Sequence, residues 1–249
     1  MQIDIQLIPV EPSLEALANS AVVVIDVLRA TSVMVMAMSR GAREIVPVRT
    51  VEEAFVLAKG SPPGSTLLGG ERGGKPIEGF DLGNSPREYT GEKVRGKRLI
   101  VTTTNGTKAF HSVASAKEVM VGSFFNVGAI AEQCLRLGHD LLIFPSGNYG
   151  KFSLEDTVCG GMIIDLILRK GGGPIHLSDA TLSAHILYQK FENGLPEALH
   201  RSSHGKYLIS IGLEEDLPYC ARTDITDQVP VFRDGVIRAD QKTNANCKL

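Results

Sequence analysis

The sequence predicts an α/β protein: three layers, α/β/α, around a mixed, largely parallel sheet, with a helical and hairpin extension at the C-terminal end. Three observations carry this. Short apolar runs alternate with longer segments of 3.6-residue period through most of the chain, the pattern of a layered α/β domain. The run AVVVIDV at 21–27 is apolar on successive residues, as in a strand covered on both faces, and so belongs near the centre of the sheet. Asp234-Gly235, between VPVF and VIRA, is a two-residue hairpin signal.

In order, strands are expected over 2–8 (QIDIQLI), 21–27, 45–48 (IVPV), 65–69 (STLLG), 98–103 (RLIVTT), 118–122 (EVMVG) and 140–145 (DLLIFP). Helices are expected over 30–40, 51–59, 105–115, 126–137 and 154–170. Past Gly171-Gly172-Gly173 the texture becomes helical, over 179–192 and about 196–212, before the hairpin, which either joins the sheet or forms a small flap. Only about 75 residues follow the glycine run, so the chain reads as one domain, 1–249, with 171–249 as an extension.

The bulk numbers exclude several classes. With 249 residues, 43% hydrophobic, 22% charged and a formal net charge of −2, the chain has no bulk positive field for nucleic acid or an anionic membrane. Cys134, Cys159, Cys220 and Cys247 form no C-x-x-C, against a zinc ribbon or a disulfide framework. No basic n-region precedes MQIDIQLIP and no apolar run approaches a membrane span, so the expected home is the cytoplasm. Gly69-Gly70-Glu71-Arg72-Gly73-Gly74-Lys75 fits the first seven positions of a P-loop. The eighth residue, however, is Pro76, and no helix can follow, which rejects an NTPase.

In open α/β sheets, ligands bind beyond the carboxyl ends of the strands, so the strand-to-helix junctions are where function is read. In IDVLRATS, Asp26 ends a buried strand. A carboxylate there costs several kcal/mol to desolvate unless a cation answers it, and Arg29 or Mg²⁺ is the expected answer. In VTTTNGT, the residues Thr103, Thr104, Asn105, Gly106 and Thr107 combine hydroxyls, an amide and helix N–H groups as an oxyanion site, with a simple N-cap as the structural alternative. GSFFN offers Ser123 and Asn126. FPSGNYGKFSLEDTVCGG offers Ser146, Lys151, Glu155 and Asp156, with Ser153 and Asp156 also spaced as a helix cap. Between 67 and 86 the glycines are expected to turn backbone N–H groups inward as a nest, with Glu71 and Arg72 aimed at metal and anion. This requires Glu71, Arg72 and Asp26 to meet in one cleft.

Those blocks, IDVLRATS, LLGGERGGKPIEGFDLGNSP, TTTNGT, GSFFN and PSGNYGKFSLEDTVCGG, occur in this order in the 2-phosphosulfolactate phosphatase (ComB) family, which the chain resembles over nearly its whole length. The resemblance implies Mg²⁺-dependent hydrolysis of the phosphate ester of 2-phospho-3-sulfolactate, a step toward coenzyme M. A small phosphorylated substrate of charge about −4 needs several cationic or N–H donors and a metal. A homo-oligomer stays open.

Familiar covalent routes lack their residues. Cys-x₅-Arg fails because Asp165 and Asp140 stand six after Cys159 and Cys134; Arg-His-Gly is approached only by Ser203-His204-Gly205; Asp-x-Asp fails at Leu28. The expected route is attack by water activated by Mg²⁺, with a carboxylate base and with covalent catalysis by Asp26 or Ser146 as the alternative. One or two oxygen ligands among Asp26, Glu71, Asp81, Glu155 and Asp156 suffice for Mg²⁺, Asp26 and Glu71 first. The catalytic set is then Asp26, Arg29, Glu71 and Arg72. Structural readings stand beside these: Asp26 paired with Arg29, Met34, Met36 and Met38 as core filler, Cys159 as a buried thiol. Among the histidines, His204 is singled out as a proton donor to a leaving alkoxide. A lyase or isomerase on a phosphorylated acid, or a non-catalytic anion-binding protein, are the competing functions.

Overall fold

Eleven strands form one sheet in the computed structural model, which describes residues 1–240. They are β1 (Gln2–Ile5), β2 (Ser20–Ile25), β3 (Glu44–Pro47), β4 (Thr66–Arg72), β5 (Lys75–Pro76), β6 (Arg98–Thr102), β7 (Glu118–Gly122), β8 (Asp140–Pro145), β9 (His176–Leu177), β10 (Pro230–Arg233) and β11 (Val236–Ala239). Their order is β5-β4-β6-β3-β11-β10-β7-β2-β8-β1-β9. Pairing is parallel within β4-β6-β3 and within β7-β2-β8-β1-β9. It is antiparallel along β3-β11-β10-β7 and between β4 and β5. The sheet is therefore mixed and mostly parallel. The hairpin with Asp234 and Gly235 at positive φ joins the sheet in its interior, as the seam between two parallel blocks.

β2 lies between β7 and β8 and is buried on both faces. Ala21, Val23 and Ile25 pack under the helices Val127–Leu137, Leu154–Lys170 and Asp179–Phe191; Val22 and Val24 pack under Ala30–Ser39 and Gly106–Ser112. Helices thus cover both faces. Met34, Met36 and Met38 are buried in the second of these cores. Leu195, Leu199, Leu208 and Leu217, from beyond the glycine run, share the first core with β2.

Where boundaries differ from expectation, local chemistry explains it. The first strand ends at Ile5; the Gln6 amide still reaches the Ile143 carbonyl at 3.0 Å, and the chain then turns, with the Val10 amide on the Ile8 carbonyl at 2.8 Å. β2 stops at Ile25 because the Asp26 amide turns to the Thr31 hydroxyl, 2.8 Å away. β4 runs three residues further than expected, through the glycines. A Cβ at Gly70 (φ +143°) would lie 2.0 Å from the Thr102 carbonyl oxygen, so only glycine lets β4 lie so close to β6. Lys75 opens no helix; it pairs back with Arg72 around a Gly73-Gly74 turn. The helix expected over 196–212 breaks in two, Leu195–Arg201 and Ser203–Ser210. Ser202, extended at φ −64°, ψ 152°, ends the first and caps the Gly205 amide of the second. Cys134, Cys159 and Cys220 are free and buried, while Cys247 lies outside the described residues.

Candidate active site

One cleft collects chemistry from several strand ends and from the C-terminal helices. Asp26 and Arg29 come from the end of β2, Glu71 and Gly74 from the β4–β5 hairpin, and Thr103, Thr104 and Asn105 from the end of β6. Asn84 comes from the long loop after β5, Tyr149 from the loop after β8, and His204 and Tyr207 from the helix Ser203–Ser210. Glu71 and Asp26 meet here, but Arg72, the third residue the nest expectation required, does not line the cleft.

Asp26 is 6% exposed and held by one local and one distant group: the Ala30 amide donates to Oδ1 at 3.0 Å and the Ser146 hydroxyl, 120 positions on, to Oδ2 at 2.9 Å. Burial pushes its pKa from 3.8 up to about 6; those two hydrogen bonds and Arg29 work against the rise, and Glu71 adds to it. Gly106 must be glycine to allow this, since a Cβ there would stand 2.5 Å from Ala30 Cβ and 2.7 Å from Asp26 Oδ2.

Arg29 does not pair with Asp26. Its Nη1 donates to Asp216 Oδ2 at 2.6 Å and its Nη2 to the Gly74 carbonyl at 2.8 Å; the other Asp216 oxygen accepts the Ser85 hydroxyl at 2.6 Å. Arg29 and Asp216 are 3% and 2% exposed. Nε of Arg29 is buried without a partner, a charged donor left over for an anion. Asp216 was not foreseen from the sequence, nor were Asn84, Tyr149 and Tyr207. A signal existed for one of them: Asp216 stands four before buried Cys220, which helical periodicity places on an inward face, as it does His204, singled out from the sequence, four before buried Leu208.

Glu71 accepts the Gly74 amide at Oε2 and the Thr104 amide at Oε1, each at 2.7 Å. The Gly74 amide is therefore spent on Glu71 and does not form an open nest. Arg72 is exposed and turns away from the cleft, donating to the Glu71 carbonyl and to the Thr102 hydroxyl. Thr103 and Thr107 bind one another across the start of the helix Gly106–Ser112, while its N-cap residue, Asn105, makes no side-chain capping bond.

The other sequence candidates lie apart from the cleft walls. Asp81 is exposed and accepts the Leu68 amide. Ser123 and Asn126 form a buried capping box after β7, with Asn126 also donating to the Val121 and Gln228 carbonyls. Lys151 is exposed and closes a tight backbone turn with Asn148. Glu155 and Asp156 are buried in the first turn of Leu154–Lys170, behind Asp26. Asp156 Oδ1 accepts the Val27 amide at 2.8 Å, and burial raises both carboxyl pKa values. His204 is pushed down by burial, with Arg29 adding to this and with Glu155 and Glu71 pulling the other way.

Among the described residues, no group of three or more His, Cys, Asp or Glu side chains forms a ready metal cage. The cleft does fit a hard cation in a looser way. Asn84 Oδ1 is a buried acceptor with no donor, and each Glu71 oxygen accepts a single N–H and keeps a lone pair. No helix among the described residues is long and apolar enough to cross a membrane.

With this geometry in view, the likenesses to known proteins are informative. The family model described as 2-phosphosulpholactate phosphatase matches residues 7–235. A probable 2-phosphosulfolactate phosphatase of Clostridium novyi is 42% identical over 232 residues, 93% of this chain and 97% of that protein. The protein of the same description from Clostridium tetani is 40% identical, covering 96% and 100%, and that of Caldicellulosiruptor saccharolyticus 43%, covering 90% and 93%. A match of this length and identity, over the β2, β4, β6 and β8 junctions that build the cleft, settles the grouping: the chain belongs to the 2-phosphosulpholactate phosphatase family.

Proposed function

We propose that the protein is a phosphoric monoester hydrolase that cleaves the phosphate ester of 2-phospho-3-sulfolactate, or of a similarly charged phosphorylated 2-hydroxy acid, with the help of Mg²⁺. The observation that carries this reading is the pairing, in one cleft, of a buried carboxyl shifted toward neutrality with an arginine fixed by its own carboxylate. The first can take a proton near physiological pH, and the second keeps an unpartnered N–H for a phosphoryl oxygen.

In this reading Arg29 binds the phosphoryl group through Nε. Asp26 Oδ accepts the proton of the attacking water as its oxygen bonds to phosphorus, and Ser146 keeps that carboxylate turned toward the cleft. The P–O bond to C2 breaks, and His204 gives its proton to the departing alkoxide. The substrate's negative charge adds to that of Glu155 in favouring the imidazolium form. Glu71 and Asn84 would hold Mg²⁺, which when bound supplies Lewis-acid neutralisation of phosphoryl charge. Thr104 and Asn105 line the wall against which the substrate lies.

A phosphate-release screen over small phosphorylated carboxylates, run with Mg²⁺ and with EDTA, tests the reading. Release of inorganic phosphate that stops with chelator supports it. Conversion of substrate without phosphate release points to a lyase or isomerase, and binding without turnover to an anion-binding protein.

A further inference from the structure

The cleft leaves only about 10 Å³ of open space, roughly the room of a single water. Immediately beyond it opens a groove of about 430 Å³. Thr104, Asn105 and Tyr149 line both, so they are the shared wall between the two spaces. The Tyr149 amide donates to Asn105 Oδ1 at 3.2 Å, tying the loop after β8 to the loop after β6 across that wall. The body of any substrate whose phosphate sits at Asp26 and Arg29 has this groove beside it.

The groove's charge is one-sided. Lys108 lines it, together with Ser112, Ser146 and apolar atoms of Ala109 and Phe144, and no carboxylate does. The Lys108 ammonium forms no ion pair or side-chain hydrogen bond among the described residues, whereas the buried Arg29 is tied to Asp216. Oγ1 of Thr104, on the shared wall, is buried without a partner. The Ser112 and Ser146 hydroxyls donate elsewhere, so a cation with no protein partner, the one free hydroxyl of Thr104 and a carboxylate-free lining make the receptor for a second anion.

We propose that Lys108 is the specificity-determining residue of this site: its ammonium receives the carboxylate or sulfonate of the substrate in the groove while the phosphoryl group sits at the mouth of the neighbouring cleft. The inference rests on the phosphatase reading above and adds to it how the enzyme distinguishes a multiply charged ester from a simple one. A side chain that binds the remote anion equally in ground and transition states acts on KM; one whose contact tightens in the transition state acts on kcat. Either way, the effect is confined to substrates that carry the anion.

The test compares kcat/KM for three esters, 2-phospho-3-sulfolactate, 2-phospholactate and isopropyl phosphate, in the wild-type protein and in Lys108→Met, Lys108→Arg and Lys108→Glu. Lys108→Met should lower the preference for the charged esters over isopropyl phosphate by roughly tenfold or more. Lys108→Glu should lower it further, and Lys108→Arg should retain most of it. Loss for both acids assigns the carboxylate to Lys108, and loss for the sulfonated acid alone assigns the sulfonate; each supports the proposal. A preference unchanged in Lys108→Met and Lys108→Glu overturns it. Wild-type protein that releases phosphate from none of the three esters would instead overturn the phosphatase reading, so the two failures are told apart. Lys108 is exposed, and coincident thermal melts of the variants exclude misfolding as a cause.

Discussion

The two halves of the cleft are built differently. The half carried by the sheet, Asp26, Glu71 and Thr103–Asn105, is held by backbone amides and hydroxyls at strand ends: Ala30 and Ser146 on Asp26, Gly74 and Thr104 on Glu71. The half carried by the C-terminal helices, His204, Tyr207 and Asp216, is anchored onto the sheet half by an ion pair at Asp216 and a hydroxyl–carbonyl bond at Tyr207. Arg29 meets Asp216 across 187 positions, and the Tyr207 hydroxyl meets the Gly73 carbonyl across 134. In the proposed reaction the sheet half supplies the acids that face water and phosphorus. The helical half fixes the cation and offers the imidazole. A cleft of this kind can therefore lose chemistry and keep its fold on one side, and lose both together on the other.

His204 gives the largest contrast. His204→Gln should slow hydrolysis of an alkyl phosphate by about 10²–10⁴-fold while costing far less with p-nitrophenyl phosphate, whose leaving group needs no proton. Equal losses on both esters would reduce His204 to a packing role. Asp216→Ala comes next: it leaves the buried Arg29 charge unpaired and should cost about 3–5 kcal/mol of stability in chemical denaturation. That loss would make the helical half structural as well as chemical.

Asp26 predicts the opposite sign. Its native pKa is raised, so between pH 3.8 and about 6 the native state binds more proton than the unfolded chain, and its contribution to stability is lost as pH rises through that window. Asp26→Asn cannot ionise and keeps an acceptor for the Ala30 amide. In EDTA its stability relative to wild type in chemical denaturation should rise between pH 4 and pH 7 by on the order of 2–3 kcal/mol. A gap that does not change with pH would contradict the burial of a charge at Asp26. Gly106→Ala should cost about 1–3 kcal/mol through crowding against Ala30 and Asp26. The smallest effect belongs to Glu215, next to Asp216 in the chain. It pairs with Arg87 on the surface, 78% and 46% exposed, and Glu215→Ala should cost about 0–1 kcal/mol.

The same division decides what the sequence revealed. The sheet half is legible because its signals are local: AVVVIDV followed by a carboxylate, and VTTTNGT with surplus hydroxyls at a strand end. The α/β layering and all seven expected strands follow from the same periodicities. The insertion of the hairpin between β3 and β7 is not legible, because the alternation in VPVF and VIRA fits an edge or a seam equally well; neighbours, not the strand's own residues, decide. Asp216 sits in the acidic run Glu214-Glu215-Asp216, where only packing tells the buried member from the exposed ones. Arg72 looked as qualified as Arg29, but β4 continues through the glycines to Arg72, and strand alternation sends its side chain to the face opposite Glu71.

The most direct measurement is inorganic phosphate release from 2-phospho-3-sulfolactate at saturating substrate and Mg²⁺, comparing wild type with Asp26→Asn. The wild-type protein should release phosphate, and the variant should fall by about 10²–10⁴-fold in kcat while remaining folded at neutral pH. A variant that turns over at the wild-type rate would place the chemistry somewhere other than at Asp26.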